Sequence, residues 1–450
     1  MPGAAPGLRR AAAPAATALL TAAALASIAV WARTVPLAED WNLVPALTGH
    51  EPDLSAWLWS QNNEHRLPVQ RAIYLGLLRA TEDVRSAMVL NVALLCGLSL
   101  LLARTAARLR GRPALADAAF PLALLHLGHW ENLVWGWQIQ FVWSVVLTGL
   151  ALWLIVLRPA PLGPGPLVAA ALLLPALALS GGNGLIMAAG LVPWLACQAL
   201  AQSGHRWLAP EGRPAAPRAG RIAWAGALLT VGAIGAYFAG YVPPPWSPPL
   251  ATPEQSLRAA GRYLAYGFGP GSRVWPEPFA VAAAAFCGYG AWLALRAAWR
   301  DDRAERLRAI GLLLFVGTLL AVGAIIAVGR GGIPGRLPDR YALFSVLPLL
   351  GAAFAILLYA PRPVARRGPA LLAAAFLAML PLNVEAGFGW RDWYVHGMER
   401  VERDIAAGVP IPALAAAHRA FLMHWSEDSL RDRMRMLRAA GIPPFSQAAP

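Results

Sequence analysis

Residues 11–41 read AAAPAATALLTAAALASIAVWARTVPLAEDW, an apolar run followed at once by a polar turn bearing Glu39 and Asp40. The run is roughly 20 residues, enough for a helix to cross a 30 Å hydrocarbon core. Arg9-Arg10 precede it, as in a signal peptide. Many more apolar runs follow, so an uncleaved first span is the simpler expectation. Beyond the turn an acidic, tryptophan-rich segment runs on to Gln61-Asn62-Asn63-Glu64-His65-Arg66. Arg33 to Arg85 holds seven acidic residues and five arginines, in a chain of net charge +14. A basic membrane protein has therefore gathered carboxylates into its first loop.

The whole composition fits that reading. Of 450 residues, 58% are hydrophobic, against about 45–50% in soluble domains. All 38 basic residues are arginine. They are scattered between apolar runs and form no single basic face, which argues against nucleic-acid binding. The three cysteines, Cys96, Cys197 and Cys287, have no metal-ligand spacing and suggest no disulfide framework.

The expected fold is all-α and polytopic, with about eleven transmembrane helices, near 11–31, 86–103, 114–129, 139–157, 167–179, 185–200, 222–240, 279–297, 309–328, 342–359 and 370–384. The third and fifth runs are short. Pro175 and Ser180-Gly181-Gly182-Asn183-Gly184 suggest a broken or re-entrant pair. With the N-terminus inside, the inner segments hold 19 arginines in 72 residues and the outer ones 19 in 173. Arginine bias thus favours N-in, C-out. The long polar segments, 33–85, 241–277 and the tail, then fall outside. Two domains are expected: a transmembrane domain over 1–384 with first outer loop 33–85, and a small extracytoplasmic helical tail over 385–450. Helical spacing in the tail covers Met398–Ala407, Ala413–Trp425 and Ser429–Ala440, with an N-cap near Ser426. Val69, Ile73, Leu77 and Ala80 share one face of an amphipathic helix expected to lie along the outer surface.

Several outer motifs can carry chemistry. A carboxylate at the membrane boundary, Asp40 or Glu39, suits a general base; the pair also suits a divalent cation. Glu64, His65 and Arg66 belong to a run able to read sugar hydroxyls or to form a polar turn. Glu131, Asn132 and Gln138 are costly in lipid unless they face a cavity or partner. Trp135 and Trp137 suit sugar stacking or an interfacial belt. His126 and His129, three apart with Glu131 following, leave a metal site, helix-end hydrogen bonds and substrate contacts all open. Arg330, Arg336 and Arg340 with Tyr341 run against the positive-inside trend, and arginine forks suit phosphate. The loop Tyr241–Glu277 reads as a lid or as a passive cap.

The acidic pair Glu39-Asp40, Asn63-Glu64-His65-Arg66, Glu131-Asn132-Leu133-Val134-Trp135-Gly136 and Arg340-Tyr341, in this order and on one side, resemble the GT-C glycosyltransferase superfamily. The likeness is greatest to bacterial relatives of dolichyl-phosphate-mannose protein mannosyltransferases and aminoarabinose lipid A transferases, and covers roughly residues 11–384. The resemblance implies a polyprenyl-phosphate-linked sugar donor used from the outer side of the bacterial inner membrane. It implies Asp40 as the catalytic first-loop carboxylate with Glu39 beside it, and Arg340 as the grip on donor phosphate. The acceptor is then a glycan, a lipid or a protein; the tail is smaller than the soluble domains of some members. Two rivals stand beside this: a non-enzymatic flippase or transporter of lipid-linked glycans, and a polymerase or ligase working through outer arginines alone.

Overall fold

The computed structural model describes residues 6–157, 161–211, 215–244, 249–300, 302–333 and 337–449. Among the described residues, nine helices are long and apolar enough to cross a membrane. They are Gly7–Trp31, Arg85–Arg110, Gly136–Val156, Gly182–Gln202, Pro217–Phe238, Pro276–Ala298, Glu305–Arg330, Asp339–Tyr359 and Arg362–Ala406. The protein is an all-α multi-pass membrane protein, with one two-stranded hairpin among the described residues, Gln61–Asn62 against His65–Arg66.

Two of the expected spans take other forms. The run near 114–129 is a chain of short helices, Leu115–Ala118, Ala119–Leu124, Leu127–His129 and Trp130–Leu133. Almost every residue from 119 to 139 is buried. Broken backbone survives at membrane depth where protein surrounds it, and here helices on several sides do so. A Cβ at Gly387 would meet the Leu127 carbonyl, and one at Gly128 the Asn383 carbonyl, so two glycines permit the close approach to helix Arg362–Ala406. The run near 167–179 is the helix Pro164–Ala178, about 22 Å long. It forms a hairpin with Gly182–Gln202, turning at Gly181, whose φ of +88° suits glycine. At the far end of the hairpin Leu162 N–H donates to Gln198 Oε1 (3.0 Å) and Gln202 Nε2 to the Leu162 carbonyl (2.6 Å). The two arms therefore run alongside each other rather than forming a shallow re-entrant loop.

Polar contacts sort the connections onto two faces. Segment 33–84 reaches Gly182, the end of helix Pro217–Phe238, Val242, Arg330, Tyr394 and Arg433. The other face carries Arg110 with Asp117, Leu162 with Gln198, and Arg306 and Glu305 with their partners. The long polar segments thus share one face.

The helix expected on the surface of the first loop is Pro68–Thr81, but its buried face is Gln70, Arg71, Tyr74, Leu75 and Leu78. Val69, Ile73 and Leu77 are only half-buried and Ala80 is exposed. The buried face thus mixes Gln70 and Arg71 with Tyr74, Leu75 and Leu78. Arg71 finds the Trp57 and Ser60 carbonyls inside at 2.6 and 2.8 Å.

Helix Arg362–Ala406 is continuous over 45 residues, about 68 Å, more than twice the hydrocarbon thickness. Residue 384, taken from sequence as the domain boundary, lies inside it, and its last turns project beyond the membrane on the first-loop face. Ile411–His418 and Glu427–Ala439 then fold back onto the loop. Ser426 caps the latter, its Oγ accepting from Ser429 N–H at 3.3 Å.

Candidate functional site

Glu39 and Asp40 sit in a 3-10 turn, Ala38–Leu43, which places neighbouring side chains about 120° apart. The two carboxylates therefore meet different surroundings. Asp40 is 3% exposed. Its Oδ2 accepts from Leu37 N–H (3.1 Å) and its Oδ1 from the Tyr74 hydroxyl (2.9 Å). Burial raises its pKa from 3.8 to about 7, against the lowering effect of those hydrogen bonds. Tyr74, enclosed beside it, is pushed well above the usual phenol range, first by burial and then by Asp40. Glu39 is half-buried. Burial raises its pKa, and the strongest charge acting against that rise is Arg340, with Glu131 and Glu64 adding to it. Asp40 is a sealed brace of the turn; Glu39 is the carboxylate in the field of the arginine loop.

Arg340 is held on its backbone and its side chain together. Glu131 Oε1 takes its guanidinium at 2.6 Å, Glu131 Oε2 takes its backbone N–H at 3.0 Å, and Asn132 Nδ2 donates to its carbonyl at 3.1 Å. The guanidinium lies 5.8 Å from the Phe141 ring and 5.7 Å from the Tyr341 ring, a cation–π setting. Arg330 pairs with Glu64 at 2.7 Å. These arginine side chains keep 30% and 33% of their surface. A guanidinium has five donors. Among the described residues, each of these engages a carboxylate through one nitrogen. His65 lies in the same field, with Glu64, Arg330 and Arg340 acting on it; burial lowers its pKa, and its Nδ1 accepts from Gly182 N–H at 3.3 Å.

The structure thus brings Glu39, Glu64, His65, Glu131, Arg330 and Arg340 together. The other expected site residues are engaged in the fold. Arg66 is buried and donates to the carbonyls of Tyr237 (2.9 Å), Trp59 (2.7 Å) and Ala239 (2.7 Å), stapling the hairpin to a helix end. Trp135 is buried and donates to the Leu37 carbonyl at 3.2 Å, so it braces the acidic turn instead of offering a stacking face. Asn132, Gln138 and Tyr341 are buried. Gln138 Oε1 and Asn132 Oδ1 have no partner among the described residues, so polar capacity is left beside the cluster. Arg336 lies outside the described residues. The lid-or-cap loop is partly anchored: Ala251 N–H donates to the Val328 carbonyl at 2.9 Å, and the Tyr266 hydroxyl to the Leu337 carbonyl at 2.9 Å.

No group of three or more His, Cys, Asp or Glu able to hold a metal occurs among the described residues. Glu64 and Glu131 already face arginine, so the cluster is built for charge pairing, and a cation held by three protein ligands does not fit it. Sequence reasoning missed Tyr74, Leu422, Arg433 and Phe445, which fix the acidic turn. Tyr74 had a signal, since it lies on the polar side of its helix with Gln70 and Arg71. Leu422 had none, because it acts through its backbone.

The fold and site define a multi-pass helical membrane protein with a partly open carboxylate–arginine cluster on the face of its long loops. No family model matches the chain, and no curated protein or solved structure matches it.

Proposed function

We propose that this protein is an inverting membrane glycosyltransferase of GT-C type. It moves a sugar from a polyprenyl-phosphate donor to an envelope acceptor on the outer side of the bacterial inner membrane. The observation that carries this reading is the half-buried Glu39 in the field of Arg340, at the membrane edge. The sparse arginine of the segments on this face supports its assignment as the outer one.

Glu39, rather than Asp40, is the base in this reading. The acceptor O–H attacks the anomeric carbon as its proton passes to Glu39. The bond from that carbon to the phosphate oxygen breaks, and the electron pair leaves with the lipid phosphate. Arg340 and Arg330 stabilise the departing charge, a preorganised electrostatic role. The glutamates that hold these arginines keep them aimed before donor arrives. Burial and nearby carboxylates raise the Glu39 pKa, which strengthens it as a base once ionised.

The test is transfer by the purified full-length protein, using polyprenyl-phosphate sugar extracted from a deletion strain. Glu39→Gln is expected to lose transfer and retain binding of undecaprenyl phosphate. Full transfer by that variant ends the proposal and favours a ligase that works through arginines alone.

A further inference from the structure

The acidic turn is gripped by the far end of the chain. Ala38 N–H donates to the Leu422 carbonyl at 2.9 Å. Ala38 (φ +48°) and Met423, next to that carbonyl (φ +52°), are both non-glycine residues in the left-handed region. Such backbone persists only where surrounding contacts over-determine it. Trp41 and Phe445, neither with any exposed surface, meet edge to face at 5.6 Å. Arg433 donates to Asn42 Oδ1 at 3.1 Å and meets His424 Nε2 at 2.7 Å, its guanidinium 4.9 Å from the Trp425 ring. Upstream, Arg33 N–H donates to the Tyr394 hydroxyl at 3.0 Å, and its side chain pairs with Glu402 at 3.3 Å.

We propose that the segment from Tyr394 to Phe445 is a positioning element that selects which of two adjacent carboxylates faces Arg340. In a 3-10 turn a shift of one residue rotates the side chains by about 120°. Such a shift would bring Asp40 toward the arginine and bury Glu39. Asp40 holds Leu37 and Tyr74, and from the bundle Trp135 holds the Leu37 carbonyl while the Trp137 backbone acts on Asp40; none of these contacts grips residues 41 and 42. The tail fixes residues 33, 38, 41 and 42 from outside, on both sides of Glu39. It therefore serves the reaction through Glu39 and touches no substrate. The kinetic part of this inference rests on the glycosyltransferase reading; the structural part does not.

The experiment uses full-length protein in nanodiscs, with Phe445→Ala, Arg433→Ala and the conservative Phe445→Leu. Hydrogen exchange over residues 36–43 is expected to quicken roughly tenfold in both alanine variants and to return toward wild type in Phe445→Leu. Helix Arg85–Arg110 stays protected. Affinity for undecaprenyl phosphate, the probe for the arginines, holds while kcat for transfer falls roughly tenfold or more. Unchanged exchange over 36–43 in both alanine variants overturns the proposal, as does lost phosphate affinity with kcat intact. Should Phe445→Ala loosen helix Arg85–Arg110 as well, Arg433→Ala decides on the same criteria. If wild-type protein transfers no sugar, the glycosyltransferase reading falls, and exchange alone still decides the clamp.

Discussion

Arginine meets carboxylate on both faces of this bundle, and the two sets differ in what they leave to solvent. On the face opposite the long loops, Arg306 and Arg308 keep about a twentieth of their surface. Arg306 is tied to the carbonyls of Ala298 (3.0 Å), Arg300 (2.6 Å) and Trp207. Arg308 and Tyr359 converge on Glu305, and Arg110 closes on the buried Asp117 at 2.9 Å. On the loop face, Arg330 and Arg340 hold their glutamates just as closely but retain a third of their surface. The first set ties loops and helix ends together. The second presents cationic forks to whatever enters. The same residue type is thus sealed into the fold at Arg306 and Arg308 and left partly open at Arg330 and Arg340.

The sharpest way to break this comparison is at Glu39. Glu39→Gln is expected to lower transfer by roughly 10²–10⁴-fold, with normal protein yield, measured as sugar transferred by purified protein. Removing the facing cation comes next. Arg340→Ala should lower kcat by roughly 10²–10³-fold, the worth of one preorganised charge donor, and weaken undecaprenyl phosphate binding. The matching change on the other face should behave differently. Arg110→Ala leaves Asp117 buried without its ion-pair partner, a loss of roughly 3–5 kcal/mol in stability. Thermal unfolding registers it, while the folded fraction keeps its specific activity. Arg330→Ala is milder, roughly tenfold in donor affinity, the worth of one charge-assisted hydrogen bond.

A separate test, on stability and not on transfer, is the pH response of Asp40. Its pKa in the fold is about 7 against 3.8 unperturbed. Folding therefore binds a proton at this site. The associated stability is fully present below the unperturbed value and is lost as pH rises through about 7. Wild-type protein should lose thermal stability between about pH 4 and pH 7, and Asp40→Asn should flatten that slope. An unchanged slope would mean that Asp40 is not sealed.

The architecture was legible where hydrophobic length alone decides. Among the described residues, nine helices stand where apolar runs predicted spans. The segment near 114–129 could not be read this way, because its backbone breaks are tolerated by neighbours that no local pattern reveals. The polar run ending in Arg66 drew attention as a sugar reader; in the fold its arginine answers three backbone carbonyls, which carry no side-chain signature. The acidic pair was visible as a pair. Which member is sealed depends on a 3-10 turn, on Tyr74 and on a tail nearly four hundred residues away, so no local reading separates Glu39 from Asp40.

The most direct measurement of the central claim is the lipid-linked and envelope glycan profile of a deletion strain complemented with wild-type, Glu39→Gln or Asp40→Asn protein. The account predicts that Glu39→Gln reproduces the deletion, with a polyprenyl-phosphate sugar accumulating and the matching glycan residue missing, while Asp40→Asn restores most of the glycan. A wild-type profile from Glu39→Gln, with Asp40→Asn failing, would contradict it.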